Sequence, residues 1–179
     1  MKRLISVIIV LLGLSLLFDS RILNFIIHYR ISYLNYIFIF LTDFGPYIIF
    51  LFSTFILIYK KKLKLIPLLW LSFIIVFLLI ELLKFSIPRP RPEVDYLIYS
   101  AGNSFPSRHA AIAFTPLYLI NKNFPKFKWY FLSFACLIVF SRLYLGVHYL
   151  SDIIAGAFLG YILGLIISKL EYKKQFNLT

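Results

Sequence analysis

The stretch SRLYLGVHYLSDIIAGAFLGYILGLIIS, residues 141–168, decides how this chain is read. From Tyr149 onward it is apolar for about twenty residues, the length an α-helix needs to cross a hydrocarbon core of roughly 30 Å. His148 and Asp152 stand four apart at the start of that helix, so they stack on one face. Gly156, Gly160, Gly164 and Ser168 continue the same face at four-residue steps. Small residues in such a row let a second helix approach closely, so this face turns into a bundle and away from lipid. An aspartate placed there accepts from one imidazole nitrogen and leaves the other free as a nucleophile. A purely structural ion pair is the competing reading of the same two residues.

The composition extends this reading to the whole chain. Of 179 residues 61% are hydrophobic, and the mean hydropathy is +0.89. Soluble domains of this size are nearer half apolar, so lipid is the expected solvent. Spans are predicted near 4–18, 45–59, 65–87, 105–121, 129–145 and 149–169, with nothing between them long enough for a separate soluble domain. The expected fold is all-α, an integral membrane six-helix bundle, with residues 1–179 as one membrane domain.

The N-terminus, Met1-Lys2-Arg3 followed by apolar residues to Phe18, has the outline of a signal peptide. Asp19, Ser20 and Arg21 follow in place of a small-residue cleavage site, so a retained first helix is expected. In 21–41 the polar residues Arg21, Asn24, His28, Ser32 and Asn35 recur every three or four positions, with Arg30 off that stripe. This predicts an additional amphipathic helix lying in the interface over the first half of the segment. The single Cys136 permits no intrachain disulfide.

A net charge of +12 would suit nucleic acid, but membrane topology accounts for it more simply. With the N-terminus inside, the inner loops collect Lys2, Arg3, Lys60, Lys61, Lys62, Lys64, Lys122, Lys126, Lys128, Lys169, Lys173 and Lys174, against the single carboxylate Glu171. That is the pattern of the positive-inside rule. Arg21, Arg30, Lys84, Arg89, Arg91, Arg108 and Arg142 then fall at the outer face, and most of them gather at the same few helix ends.

Two further segments reach that face. Lys84-Phe-Ser-Ile-Pro-Arg-Pro-Arg91-Pro92 ends the third span, and Pro88, Pro90 and Pro92 hold the chain extended beyond it. Arg91 is thereby carried past the helix, from where it folds back toward Lys84. Taken alone, Lys84 reads as a snorkelling lysine and Arg89 as a headgroup contact. Pro106-Ser107-Arg108-His109 opens the fourth span, where unpaired backbone N–H groups and the dipole make a ready anion site. Helix initiation alone would explain Pro106 and Ser107. It would not explain His109, a polar residue one turn into a span.

Together, Lys84-x6-Arg91-Pro92, Pro106-Ser107-x-His109 and Ser141-Arg142-x5-His148-x3-Asp152 resemble the three-part signature of the type 2 phosphatidic acid phosphatases. The resemblance covers a core of about 40–170, leaving the N-terminal span and interfacial helix, 1–41, outside it. It implies that Lys84, Arg91, Arg142, Ser107 and the first amides of the fourth helix hold phosphate. His148 would attack phosphorus, Asp152 would fix its tautomer, and His109 would protonate the leaving oxygen and then activate water. No metal and no cofactor are expected. The family usually has glycine where this chain has Arg108, which puts the detailed cradle in question and offers a further cation for a diphosphate. Glu81, one turn before Lys84, reads as a neutralising partner inside the membrane. Asp43 reads as a cap for the second span or a pocket residue.

The implied function is hydrolysis of a phosphate on a lipid headgroup at the periplasmic or extracytoplasmic face of a bacterial inner membrane, with both termini cytoplasmic. Lipid A 1-phosphate, undecaprenyl diphosphate, phosphatidylglycerophosphate and phosphatidic acid all fit, Arg89 and Arg108 favouring diphosphates. A phosphotransferase using the same phosphohistidine is the main alternative. An anion transporter is the rival from another class, though no inverted repeat supports it. The expected partners are the lipid substrate and the bilayer, with oligomeric state open.

Overall fold

The computed structural model describes the backbone of residues 2–176 and the side chains of 6, 8 and 10–169. The side chains of Lys2, Arg3, Glu171, Lys173 and Lys174, counted above toward the inner face, lie outside the described residues. The described chain is carried by six α-helices: α1 (Lys2–His28), α2 (Ser32–Tyr59), α3 (Ile66–Ser86), α4 (Arg108–Asn123), α5 (Lys128–Tyr144) and α6 (Leu150–Phe176). Short 3-10 turns at Leu63–Leu65 and Pro125–Phe127 join α2 to α3 and α4 to α5. Five helices are long and apolar enough to cross a membrane. The sixth, α4, has 16 residues, about 24 Å at 1.5 Å per residue. It is enclosed by its neighbours, Ala110 through Ala113 being at most 6% exposed.

Apolar side chains lie on both sides of the bundle wall. Ile49, Phe50, Leu57, Val76, Ile80, Leu117, Ile120 and Ile138 form the interior. Outside, Tyr33, Tyr36, Phe85, Trp129 and Tyr130 are among many large exposed hydrophobics, a surface suited to lipid and not to water.

The structure corrects the reading of residues 1–59. A separate interfacial helix is absent among the described residues. Its first half simply continues α1 to His28, and its second half opens α2 at Ser32. The expected spans 4–18 and 45–59 are therefore the halves of two longer helices, and Pro46 lies inside α2 without ending it. The break at 29–31 has a physical cause in α5. Arg30 Nε donates to the Tyr144 carbonyl at 2.7 Å. The Tyr144 hydroxyl lies between Ile31 N (2.9 Å), the Ile31 carbonyl (2.7 Å) and the Asn35 amide oxygen (2.9 Å). Of the polar stripe Asn35 thus serves a tertiary contact, as does Arg30 beside it, which periodicity alone cannot distinguish from an interface. Asp43, expected as a cap, is correspondingly in mid-helix.

The glycine face of α6 packs against α4 within the chain. The α-hydrogens of Gly156, Gly160 and Gly164 face the backbones of Ser107, Ala111 and Thr115, in that order. Both series increase together, so α4 and α6 run parallel. Their N-termini share one end of the bundle and aim two positive dipole ends at the same place. At the opposite end Lys62 Nζ donates to Asn123 Oδ1 at 2.8 Å, tying the two short turns together.

Candidate active site

His148 is the fourth residue of the five-residue connection between α5 and α6 and is 2% exposed; Asp152, in the first turn of α6, is fully buried. Asp152 Oδ2 faces His148 Nδ1 at 3.3 Å and accepts the Tyr149 N–H at 2.9 Å. On the other side of the ring, Arg91 Nη1 stands 3.4 Å from His148 Nε2. A guanidinium can only donate, so this contact requires the tautomer with Nε2 as acceptor and the ring proton on Nδ1, toward the carboxylate. The Nε2 lone pair therefore points at a cation. Burial first, and then the charges of Arg142, Arg91 and Lys84, hold the His148 imidazole well below its ordinary value, which keeps it neutral.

The extended segment after α3 is fastened by its own polar groups. Arg91 donates to the carbonyls of Gly102 (3.0 Å), Ala101 (3.0 Å) and Val147 (2.8 Å). Lys84 Nζ reaches the Asn103 carbonyl and, at 3.4 Å, that of Ser104. Asn103 Nδ2 returns a bond to the Lys84 carbonyl at 2.7 Å. Ser104 donates through its backbone N–H to the Arg89 carbonyl (2.9 Å) and through Oγ to that of Pro90 (2.9 Å). Arg91 Nη2 also reaches the Asn103 carbonyl at 3.4 Å, so Lys84 and Arg91 meet over it. Lys84 keeps a donor free, whereas every Arg91 N–H is engaged, the contacts to Asn103 and His148 being the longest and the first an oxyanion would replace. Burial lowers the Arg91 guanidinium from its ordinary value, with Asp152 opposing.

Ser107 caps α4, its Oγ accepting from Ala110 N at 3.5 Å, and its own N–H donates to the Asp152 carbonyl at 2.9 Å. The start of α4 is thereby pinned to the turn that carries the Asp152 carboxylate. Arg142, 3% exposed, donates from Nη1 to Thr42 Oγ1 at 2.6 Å. Its Nε is buried without a partner, a donor that an oxyanion would satisfy. His109 lies within electrostatic reach of Arg142, His148, Arg108 and Arg91. It lines a cavity of about 320 Å³ between α2, α3 and α4 that also meets Asp43, Phe77 and Arg108.

The residues singled out from sequence converge, with two qualifications. Arg108 is bound to Glu81 at 2.9 Å and lies over the Phe77 ring at 5.4 Å. It borders the cavity beside His109, and no hydrogen bond ties it to His148. Glu81, expected to neutralise Lys84, is instead the ion-pair partner of Arg108. Arg89, expected as a headgroup contact, turns inward. Its Nη1 binds Asp152 Oδ1 at 2.7 Å and its Nη2 binds Asp19 Oδ2 at 2.8 Å. Burial opposes its charge, but these two carboxylates prevail and raise the guanidinium above its ordinary value. Sequence reasoning missed Asp19, Thr42 and Ser151. The available signal for Asp19 was a carboxylate at membrane depth, which is costly unless used. Among the described residues no three His, Cys, Asp or Glu side chains cluster as a metal site requires.

This geometry can hold an oxyanion against a buried imidazole and place a second imidazole beside a cavity for the leaving group. Known proteins resemble the chain in sequence and fold. The model of the PAP2 superfamily matches residues 65–176. An undecaprenyl-diphosphatase of Sulfolobus acidocaldarius is 32% identical over 151 residues, covering 80% of this chain and 73% of that protein. Among solved structures, a transmembrane PAP2-type phosphatidylglycerolphosphate phosphatase from Bacillus subtilis superposes with a TM-score of 0.75 at 26% identity, over 97% of this chain and 98% of that one. LpxE of Aquifex aeolicus superposes with a TM-score of 0.74 at 28% identity, over 84% of this chain and 94% of that one.

Proposed function

The chain belongs to the PAP2 superfamily, and from that premise we propose that it is a metal-independent membrane phosphatase acting on lipid phosphates through a phosphohistidine. The observation that carries this reading is the orientation of His148, whose Nδ1 is held by Asp152 while Nε2 faces Arg91. Nε2 attacks phosphorus, an N–P bond forms and the bond from phosphorus to the lipid oxygen breaks. His109 gives its proton to that departing oxygen. Water then attacks the phosphohistidine with His109 taking its proton, and inorganic phosphate leaves. Arg91, Lys84, Arg142 and the first amides of α4 neutralise the equatorial oxygens. Phosphoryl transfer asks mainly for positioning and charge of this kind.

The substrate is a lipid, because the exposed surface is apolar almost to the level of the site and the adjoining cavity mixes Phe77 with Arg108 and Asp43. Of the two extra arginines, Arg89 is occupied by Asp19 and Asp152. Any preference for a diphosphate therefore rests on Arg108 exchanging Glu81 for a second phosphate. By the charge pattern of the loops the site faces the extracytoplasmic side, with the termini inside.

Phosphate release from undecaprenyl diphosphate, phosphatidylglycerophosphate, lipid A 1-phosphate and phosphatidic acid, in detergent with EDTA, tests the proposal. Turnover of at least one lipid with EDTA present is expected, and Arg108→Gly should lower diphosphate turnover more than monophosphate turnover. Release only on adding an alcohol acceptor would instead favour a transferase. His109→Gln is expected to cost about 10² to 10⁴ in kcat, the usual range for a general acid–base. The loss should shrink on a substrate with an aryl leaving group, which needs no protonation. An equal loss on both substrates would remove the acid role.

A further inference from the structure

We propose that Asp19, on α1, is a positioning residue that acts through Arg89 and Ser151 to fix the carboxylate of Asp152 against His148. This rests on the phosphohistidine reading above, and it extends the site to a helix outside the three sequence segments and outside the matched residues 65–176.

The arrangement is a closed clamp of buried groups. Asp19 is 4% exposed, and Ser151 and Asp152 are fully buried. Asp19 Oδ1 accepts the Ser151 N–H at 2.9 Å, and Oδ2 accepts the Ser151 hydroxyl. Oδ2 also takes Arg89 Nη2 at 2.8 Å. The other arm of the same guanidinium, Nη1, donates to Asp152 Oδ1 at 2.7 Å and to Ser151 Oγ at 2.6 Å. The plane of Arg89 rests on the Tyr149 ring, 4.3 Å from its centre.

These contacts decide which oxygen of Asp152 serves the imidazole. Oδ1 is taken by Arg89, so Oδ2 is the one turned to His148 Nδ1 and Tyr149 N. Without Arg89 only Oδ2 stays held, by the Tyr149 N–H, and the carboxylate gains freedom about its χ2 torsion, which is broad for aspartate. The Nδ1–H would then face a less fixed acceptor. Arg89 alone would leave its Nη2 arm without the carboxylate that holds it. Asp19 completes its fork, and two carboxylates sharing one guanidinium fix its plane in a way a single ammonium cannot. Serine at 151 adds a third joint, both donating to Asp19 and accepting from Arg89.

The test is steady-state kcat and KM on undecaprenyl diphosphate and phosphatidic acid for the full chain in detergent. Asp19→Asn keeps the shape and the acceptor for Ser151 N, but opposes an amide donor to Arg89 Nη2 and to the Ser151 hydroxyl. Roughly a 10- to 100-fold fall in kcat is expected, as for other outer-shell partners, with KM within about 2-fold because no phosphate contact is touched. Arg89→Lys should lose as much, and the double variant less than the product of the two losses, since Asp19 acts in part through Arg89. If Asp19→Asn does not fold, Ser151→Ala carries the same kinetic test. A wild-type kcat at a lowered thermal midpoint would make Asp19 only an anchor of α1 and overturn the inference. So would losses that multiply in the double variant. A wild type inactive on every panel lipid would instead sink the phosphatase reading itself.

Discussion

The His148→Ala variant is expected to release phosphate on the order of 10⁶-fold more slowly than wild type, the loss seen when a covalent hydrolase is stripped of its nucleophile. The expectation follows from where the ring lies. His148 is buried, one nitrogen is engaged by Asp152, and the other faces Arg91 across 3.4 Å, so among the described residues it is the imidazole whose free nitrogen lies against the cations. The cations proposed to bind phosphate remain in the variant, so substrate binding should survive while turnover fails. A variant that is monodisperse and still works within about tenfold of wild type would remove the nucleophile role. The pH dependence carries a second check. Burial, then Arg142, Arg91 and Lys84, depress the His148 imidazole, so its neutral, attacking form persists to pH values below the usual ~6.5. Activity limited by this group is present above that value and lost as pH falls through the depressed one. The acid limb of kcat/KM for free enzyme is therefore expected below pH ~6.5. A limb lying above it and traced to His148 would contradict the buried, cation-surrounded ring.

Much of this site was legible because its residues sit at short, fixed spacings on single elements. His148 and Asp152 are one turn apart, Ser107 and His109 flank one helix start, and the glycines of α6 mark a close neighbour without naming it. The partner proved to be α4, which shares its polarity with α6. What was illegible depends on pairs far apart in sequence. Arg89 and Asp19 are 70 residues apart, and Arg142 and Thr42 are 100 apart. No periodicity connects either pair, and each member alone resembles an interfacial residue. The same ambiguity misdirected the reading of 21–41, where Asn35, which meets Tyr144 of α5, counts toward the stripe expected of a helix lying on lipid. Membrane chains sharpen this problem, since a polar residue serves either water, headgroups or the interior, and only the third choice leaves a buried partner.

Substitution at Gly160 is expected to be the most damaging change outside the phosphate site. A Cβ built there collides with the Ala111 carbonyl oxygen and lies 2.8 Å from the Ala111 carbonyl carbon and 2.9 Å from its Cα. These are backbone atoms of α4, so relief requires the helices to separate, whereas a flexible side chain could turn aside. Alanine gains about 1 kcal/mol of helix propensity over glycine. Overpacking costs about 1–3 kcal/mol, occasionally more. The second effect outweighs the first, and more so for valine. Because α4 carries Ser107 and His109 while α6 carries Asp152, any separation also opens the site, and a misplacement near 1 Å costs roughly 10² in rate. Gly160→Ala is therefore expected to lower both the thermal midpoint in detergent and kcat, and Gly160→Val to leave little folded, active enzyme. Gly13 supplies the control, since a Cβ there meets nothing within 4 Å, and Gly13→Ala should be neutral or slightly stabilising. A Gly160→Val protein as stable and as active as wild type would show that the parallel α4–α6 contact does not set the distance between the two histidines.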